Sequence, residues 1–104
     1  MPDPPSQKVD KKTLQDVFNK SGYYQKVKEG KLASLIRKNN PVQRNLIDNG
    51  FDPRSKTQTI IYLDSEGNEI AKVHQYTRPN GTLEASGLPD PKKVLWNGIL
   101  YVDP

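Results

Sequence analysis

Thr57–Tyr76 reads TQTIIYLDSEGNEIAKVHQY. Its first seven residues are rich in β-branched and aromatic side chains, which suit a pleated strand better than a helix. Asp64-Ser65-Glu66-Gly67-Asn68 follows, with Gly67 where a hairpin built on a type I turn needs a left-handed residue. Glu69–Tyr76 then returns as a second strand. A Ser65-Glu66-Gly67 loop sets Asp64 opposite Asn68. Ile61 then faces Ala71, Thr59 faces Val73 and Gln58 faces His74. In this register Thr59, Ile61, Leu63, Ala71 and Val73 form the expected core face, and Ile60, Tyr62, Ile70, Lys72, His74 and Tyr76 the other.

Downstream, Asn97-Gly98 separates two apolar runs, KKVLW and ILYV, and predicts a second hairpin pairing Trp96 with Ile99 and Leu95 with Leu100. Arg78-Pro79-Asn80-Gly81 has turn chemistry and leads into a short third strand over Thr82–Ala85. Ser86–Pro91, SGLPDP, is expected to lie outside any central strand, because proline cannot donate to a ladder.

Upstream the pattern changes. Met1–Val9 carries three prolines and few apolar groups and reads as a flexible leader. Asp10 is a plausible N-cap for KKTLQDVFNK, in which Leu14, Val17 and Phe18 share a side. Ser21-Gly22 interrupts, and Tyr23, Tyr24 and Val27 again share a side. Beyond Gly30, Leu32, Leu35 and Ile36 predict a helix over 31–38. Asn40-Pro41 reads as the start of another, closed by Gly50, with Phe51 folding back onto Leu46 and Ile47. The expected fold is α+β. A flexible leader (1–9) precedes one domain (10–104), whose helical part (10–50) packs on a four- or five-stranded antiparallel meander (57–104).

Composition bounds the function. The 104 residues contain no cysteine, which excludes disulfides and thiolate zinc sites. No apolar run reaches the ~18 residues of a membrane span, and the first residues lack the apolar region of a signal peptide. A cytoplasmic setting is therefore expected. Residues 1–50 hold ten Lys/Arg against five Asp/Glu, and residues 51–104 hold six against seven. A basic excess confined to one half suits RNA, DNA or an acidic protein as partner. It equally describes a solvated lysine-rich helical surface.

His74 is the only histidine, and the only side chain whose ordinary pKa lies near neutrality. On a strand it shares a face with Lys72 and Tyr76, and with Arg78 if the strand continues. An imidazole can move the proton of a ribose 2′-OH or of a leaving oxygen, while Lys or Arg holds the phosphate. His74, Arg78 and Lys72 are thus the candidate catalytic residues. Tyr76, Ser86, Asp90 and Lys92 are the candidate substrate-binding residues. The carboxylates Asp64, Glu66, Glu69, Glu84 and Asp90 show no metal-ligand spacing, so neither metal nor other cofactor is expected. The competing reading makes His74 a half-buried sheet residue bonded to a turn.

The run His74-Gln75-Tyr76, then Arg78-Pro79, Gly81 and Ser86-Gly87…Pro89-Asp90-Pro91-Lys92, resembles a segment of small bacterial proteins of uncharacterised function. The resemblance spans roughly residues 60–102. It implies no activity but points to His74, Arg78, Ser86, Asp90 and Lys92. At fold level, short helices before an antiparallel meander are similar to small ribonuclease toxins of the barnase and colicin sort, an analogy that carries no activity by itself. Two functions are expected to compete. One is a small bacterial protein acting on RNA, as a metal-independent, toxin-like ribonuclease centred on His74 and Arg78. The other is a non-catalytic DNA- or protein-binding module using basic helices, with residues 31–38 and 41–49 as a helix-turn-helix pair.

Overall fold

A computed structural model describes residues 3–103. The fold is α+β, and the described residues form one six-stranded sheet and three helices. In chain order these are β1 (Ser6–Lys8), α1 (Lys11–Ser21), α2 (Tyr23–Lys28), β2 (Ala33–Pro41), α3 (Arg44–Asp48), β3 (Lys56–Leu63), β4 (Glu69–Thr77), β5 (Asp90–Trp96) and β6 (Ile99–Val102). The strand order is β1-β6-β5-β4-β3-β2. All neighbours are antiparallel except β1 and β6.

Local chemistry explains the parts that match expectation. The Asp10 carboxylate accepts from the Thr13 N–H at 2.7 Å and starts α1. Gly22, at φ 71°, ends it in the left-handed region. The Asn97-Gly98 turn has φ of 52° and 77°, and pairs Trp96 with Ile99 and Leu95 with Leu100. Leu14, Val17 and Phe18 of α1 pack on Tyr62, Ala71, Val73 and Val94 of the sheet, and Phe18 meets Tyr62 at 5.9 Å between ring centroids.

The β3–β4 register departs from expectation by one residue. Asp64 does face Asn68, its N–H donating to the Asn68 carbonyl at 2.9 Å. But Leu63 pairs with Glu69 and Tyr62 with Ala71, so Ile70 is an extra residue. This bulge sets Ile61 opposite Lys72 and Thr59 opposite His74. Ile60 and Tyr62 therefore join Ala71 and Val73 on the helix-covered face, and Thr59 and Ile61 join His74. A slip of one residue exchanges the faces of a whole strand.

The expected helix over 31–38 is also a correction: it is edge strand β2, paired to β3. The β3 edge offers this segment a ready ladder of backbone hydrogen bonds, which spares it the cost of nucleating a short helix. The strand remains exposed throughout, with Leu35 at 49% and Ile36 at 59%. With Ala33–Pro41 a strand and α3 only five residues long, beginning at Arg44 instead of Pro41, the expected helix-turn-helix pair over 31–38 and 41–49 does not form. The sheet is not purely an antiparallel meander. Part of the expected leader, Ser6–Lys8, forms β1 parallel to β6. Asp90-Pro91 belongs to β5, where a register shift accommodates the proline beside β4. The expected strand over Thr82–Ala85 reduces to one bridge between Leu83 and Thr77.

Candidate functional site

Helices α1 and α2 cover one face of the sheet. The opposite face presents Thr57, Thr59 and Ile61 of β3 and, directly across from them, Tyr76, His74 and Lys72 of β4. Asp90 of β5 stands opposite His74, and Lys93 opposite Lys72. The segment after β2 folds over one end of this face and carries α3. Gln43, Leu46, Thr57, His74 and Tyr76 thereby enclose an open hollow of about 260 Å³.

His74 is half-buried and held on two sides. Its Nε2 lies 2.7 Å from the Thr57 hydroxyl. Its ring meets Tyr76 edge-on at 4.8 Å, and Tyr76 in turn meets Phe51 edge-on at 5.1 Å. Burial lowers the His74 pKa, the Lys92 ammonium lowers it further, and Asp90 opposes both. The balance favours the neutral imidazole, the form able to accept a proton. Lys92 is itself engaged, with Asp90 at 2.8 Å and Asp103 at 3.9 Å.

The other expected site residues divide. Tyr76, Asp90 and Lys92 gather around His74. Lys72 is on the same face but lines a neighbouring hollow with Arg37, Lys38 and Lys93. Ser86 is exposed, and its hydroxyl accepts from the Leu88 N–H at 3.3 Å, a local turn contact. Arg78 is committed elsewhere: its Nε donates to Glu84 at 2.8 Å, and a terminal nitrogen donates to the Leu83 carbonyl at 2.9 Å. Glu84 is 5% exposed. Its carboxylate also accepts from the Asp52 N–H at 2.7 Å and the Ser55 hydroxyl at 2.9 Å. Burial pushes the Glu84 pKa up, but these donors and the Arg78 charge outweigh it and hold the group below the usual range.

Arg78 and Glu84 therefore fasten the 78–84 turn to residues 52–55, just behind the Phe51 ring that braces Tyr76. Arg78→Ala leaves a buried carboxylate without its cation. A fall in thermal midpoint of about 10 °C is expected, given that ~1 kcal/mol moves a domain of this size by several degrees. Any cleavage activity should survive in the fraction still folded. A variant with unchanged melting would sever Arg78 from this fastening role.

Sequence reasoning missed Gln43, Leu46 and Thr57 around His74. Thr57 had a local signal, its alternation with Thr59. Gln43 and Leu46 had none, because only the fold of the segment after β2 brings them there. Among the described residues no group of three or more His, Asp or Glu side chains is placed to hold a metal ion, and no helix is long and apolar enough to cross a membrane. Comparison with protein-family models, curated proteins and solved structures finds no match to this chain.

Proposed function

We propose that the protein cleaves RNA without a metal ion, at the hollow around His74. The observation that carries this reading is a half-buried imidazole with a hydroxyl partner, its neutral form favoured, beside a lysine, on the sheet face opposite α1 and α2. In the tautomer that donates Nε2–H to Thr57, Nδ1 keeps its lone pair and takes the proton of a ribose 2′-OH. The 2′-oxygen forms a bond to phosphorus and the bond from phosphorus to the 5′-oxygen breaks. The leaving oxygen takes a proton from water on this open face, and the imidazolium returns its own to solvent. Lys92 supplies positive charge for the phosphorane. The products are a 2′,3′-cyclic phosphate and a 5′-hydroxyl.

The test is incubation of the folded protein with single-stranded and structured RNA in the presence of EDTA. Cleavage products ending in cyclic phosphate are expected, and intact 2′-deoxy substrates. RNA left whole, or DNA cut equally well, refutes the proposal. One observation favours a second reading, a non-catalytic protein-binding module: the exposed β2 edge with Leu35 and Ile36. That reading takes over if the folded protein leaves RNA uncut.

A further inference from the structure

Beside the His74 hollow lies a second one, of about 180 Å³, lined by Arg37, Lys38, Thr59, Ile61, Glu69, Lys72 and Lys93. Four of the seven are cations and one is an acid. Among the described residues none of the four cations has a carboxylate within salt-bridge distance; the ion pairs go instead to Lys31, Arg54, Arg78 and Lys92. Lys72 and Lys93 stand directly opposite each other in the β4–β5 ladder, an arrangement that destabilises a sheet when the charges are alike. Arg37 and Lys38 are adjacent in sequence, and strand alternation would send them to opposite faces. The register shift between Ile36 and Lys38 re-aims one of them, so both line the hollow. Charge and a bulge on an edge strand also guard against aggregation. That defence accounts for Arg37 and Lys38 but not for Lys72 and Lys93, which sit on interior strands β4 and β5.

We infer that this second hollow binds a backbone phosphate of a single-stranded nucleic acid, the one flanking the bond presented to His74. The inference rests on the RNA-cleavage reading for its direction but not for its chemistry. Lys72 and His74 are two residues apart on one face of β4, about 7 Å along the strand, a separation of the order of that between successive phosphates of an extended strand. The floor is Ile61, 2% exposed, which limits the water that would otherwise screen the anion. Cations in this neighbouring hollow hold substrate without meeting the reacting atoms. The subsite therefore contributes equally to ground state and transition state.

The probe is a short fluorescent oligodeoxythymidine, which lacks the 2′-OH and so reports binding alone. Fluorescence anisotropy over a salt series is expected to give a logarithmic slope for wild type that Lys93→Ala flattens by about 0.7, the value for one phosphate contact on a single strand. Lys11→Ala, on the exposed face of α1, should leave slope and affinity unchanged. In parallel, Lys93→Ala should raise KM for RNA at unchanged kcat. Absence of wild-type binding at low salt overturns the subsite, as does a Lys93→Ala slope equal to wild type or an equal loss with Lys11→Ala. Oligonucleotide binding flattened by Lys93→Ala supports the subsite even where RNA stays uncut, and that second result then counts against His74 chemistry alone.

Discussion

His74→Ala is expected to lower the rate of RNA cleavage by about 10²–10⁴-fold, the usual contribution of one general acid–base group, while leaving the fold intact. The side chain is half-buried on the face away from α1 and α2, so its loss empties part of an open hollow and leaves the core alone. Thr57→Val should slow cleavage less, and Thr57→Ser, which keeps the hydroxyl, should restore it; a purely structural contact would not distinguish the two. The acid limb of the rate profile should fall below the ordinary histidine pKa of ~6.5, because burial and Lys92 favour the neutral ring. Lys92→Ala removes one of these causes and should move that limb upward. Stability follows the same linkage. With the folded pKa below the unfolded one, the unfolded chain binds the extra proton. The favourable margin is therefore complete above the unfolded pKa, and is lost as pH falls from there toward the folded value. Equal cleavage by wild type and His74→Ala at every pH would remove His74 from the chemistry.

What could be read in advance was whatever a few adjacent residues decide. Asp10 capping α1, Gly22 ending it, Gly67 closing one hairpin and Asn97-Gly98 the other are each local bargains between a side chain or a positive φ and the backbone. All four were legible in the sequence. The face shared by Lys72, His74 and Tyr76 was legible too, because alternation within one strand needs no partner. What depends on partners was not. Leu32, Leu35 and Ile36 fit a helical stripe, yet the exposed backbone of β3 claimed Ala33–Pro41 as β2. The hairpin loop was read correctly, yet Ile70 bulged out just beyond it and exchanged the faces of β3. Arg78 looked like a phosphate ligand because nothing nearby in sequence shows that the buried Glu84 takes it, together with Ser55 and the Asp52 N–H.

Val73→Asp is expected to cost at least ~4 kcal/mol, enough to leave a domain of this size largely unfolded at ambient temperature. Val73 is fully buried between α1 and the sheet, among Leu14, Phe18, Tyr62 and Val94, where an introduced carboxylate meets no cation. Ile61→Asp should cost much less, roughly 1–2 kcal/mol, although Ile61 is only 2% exposed. Its burial lies on the opposite face, at the floor of a hollow lined by Arg37, Lys38, Lys72 and Lys93, and the new carboxylate gains those partners. Urea denaturation of both variants measures the difference. Added salt should widen the Ile61→Asp deficit by screening the new pairing, and should leave that of Val73→Asp unchanged. The same carboxylate should weaken oligodeoxythymidine binding by occupying the cations meant for phosphate. Equal damage from the two substitutions would place Ile61 in the helix-covered core. That result would restore the register without the Ile70 bulge, and the cationic hollow would lose its floor.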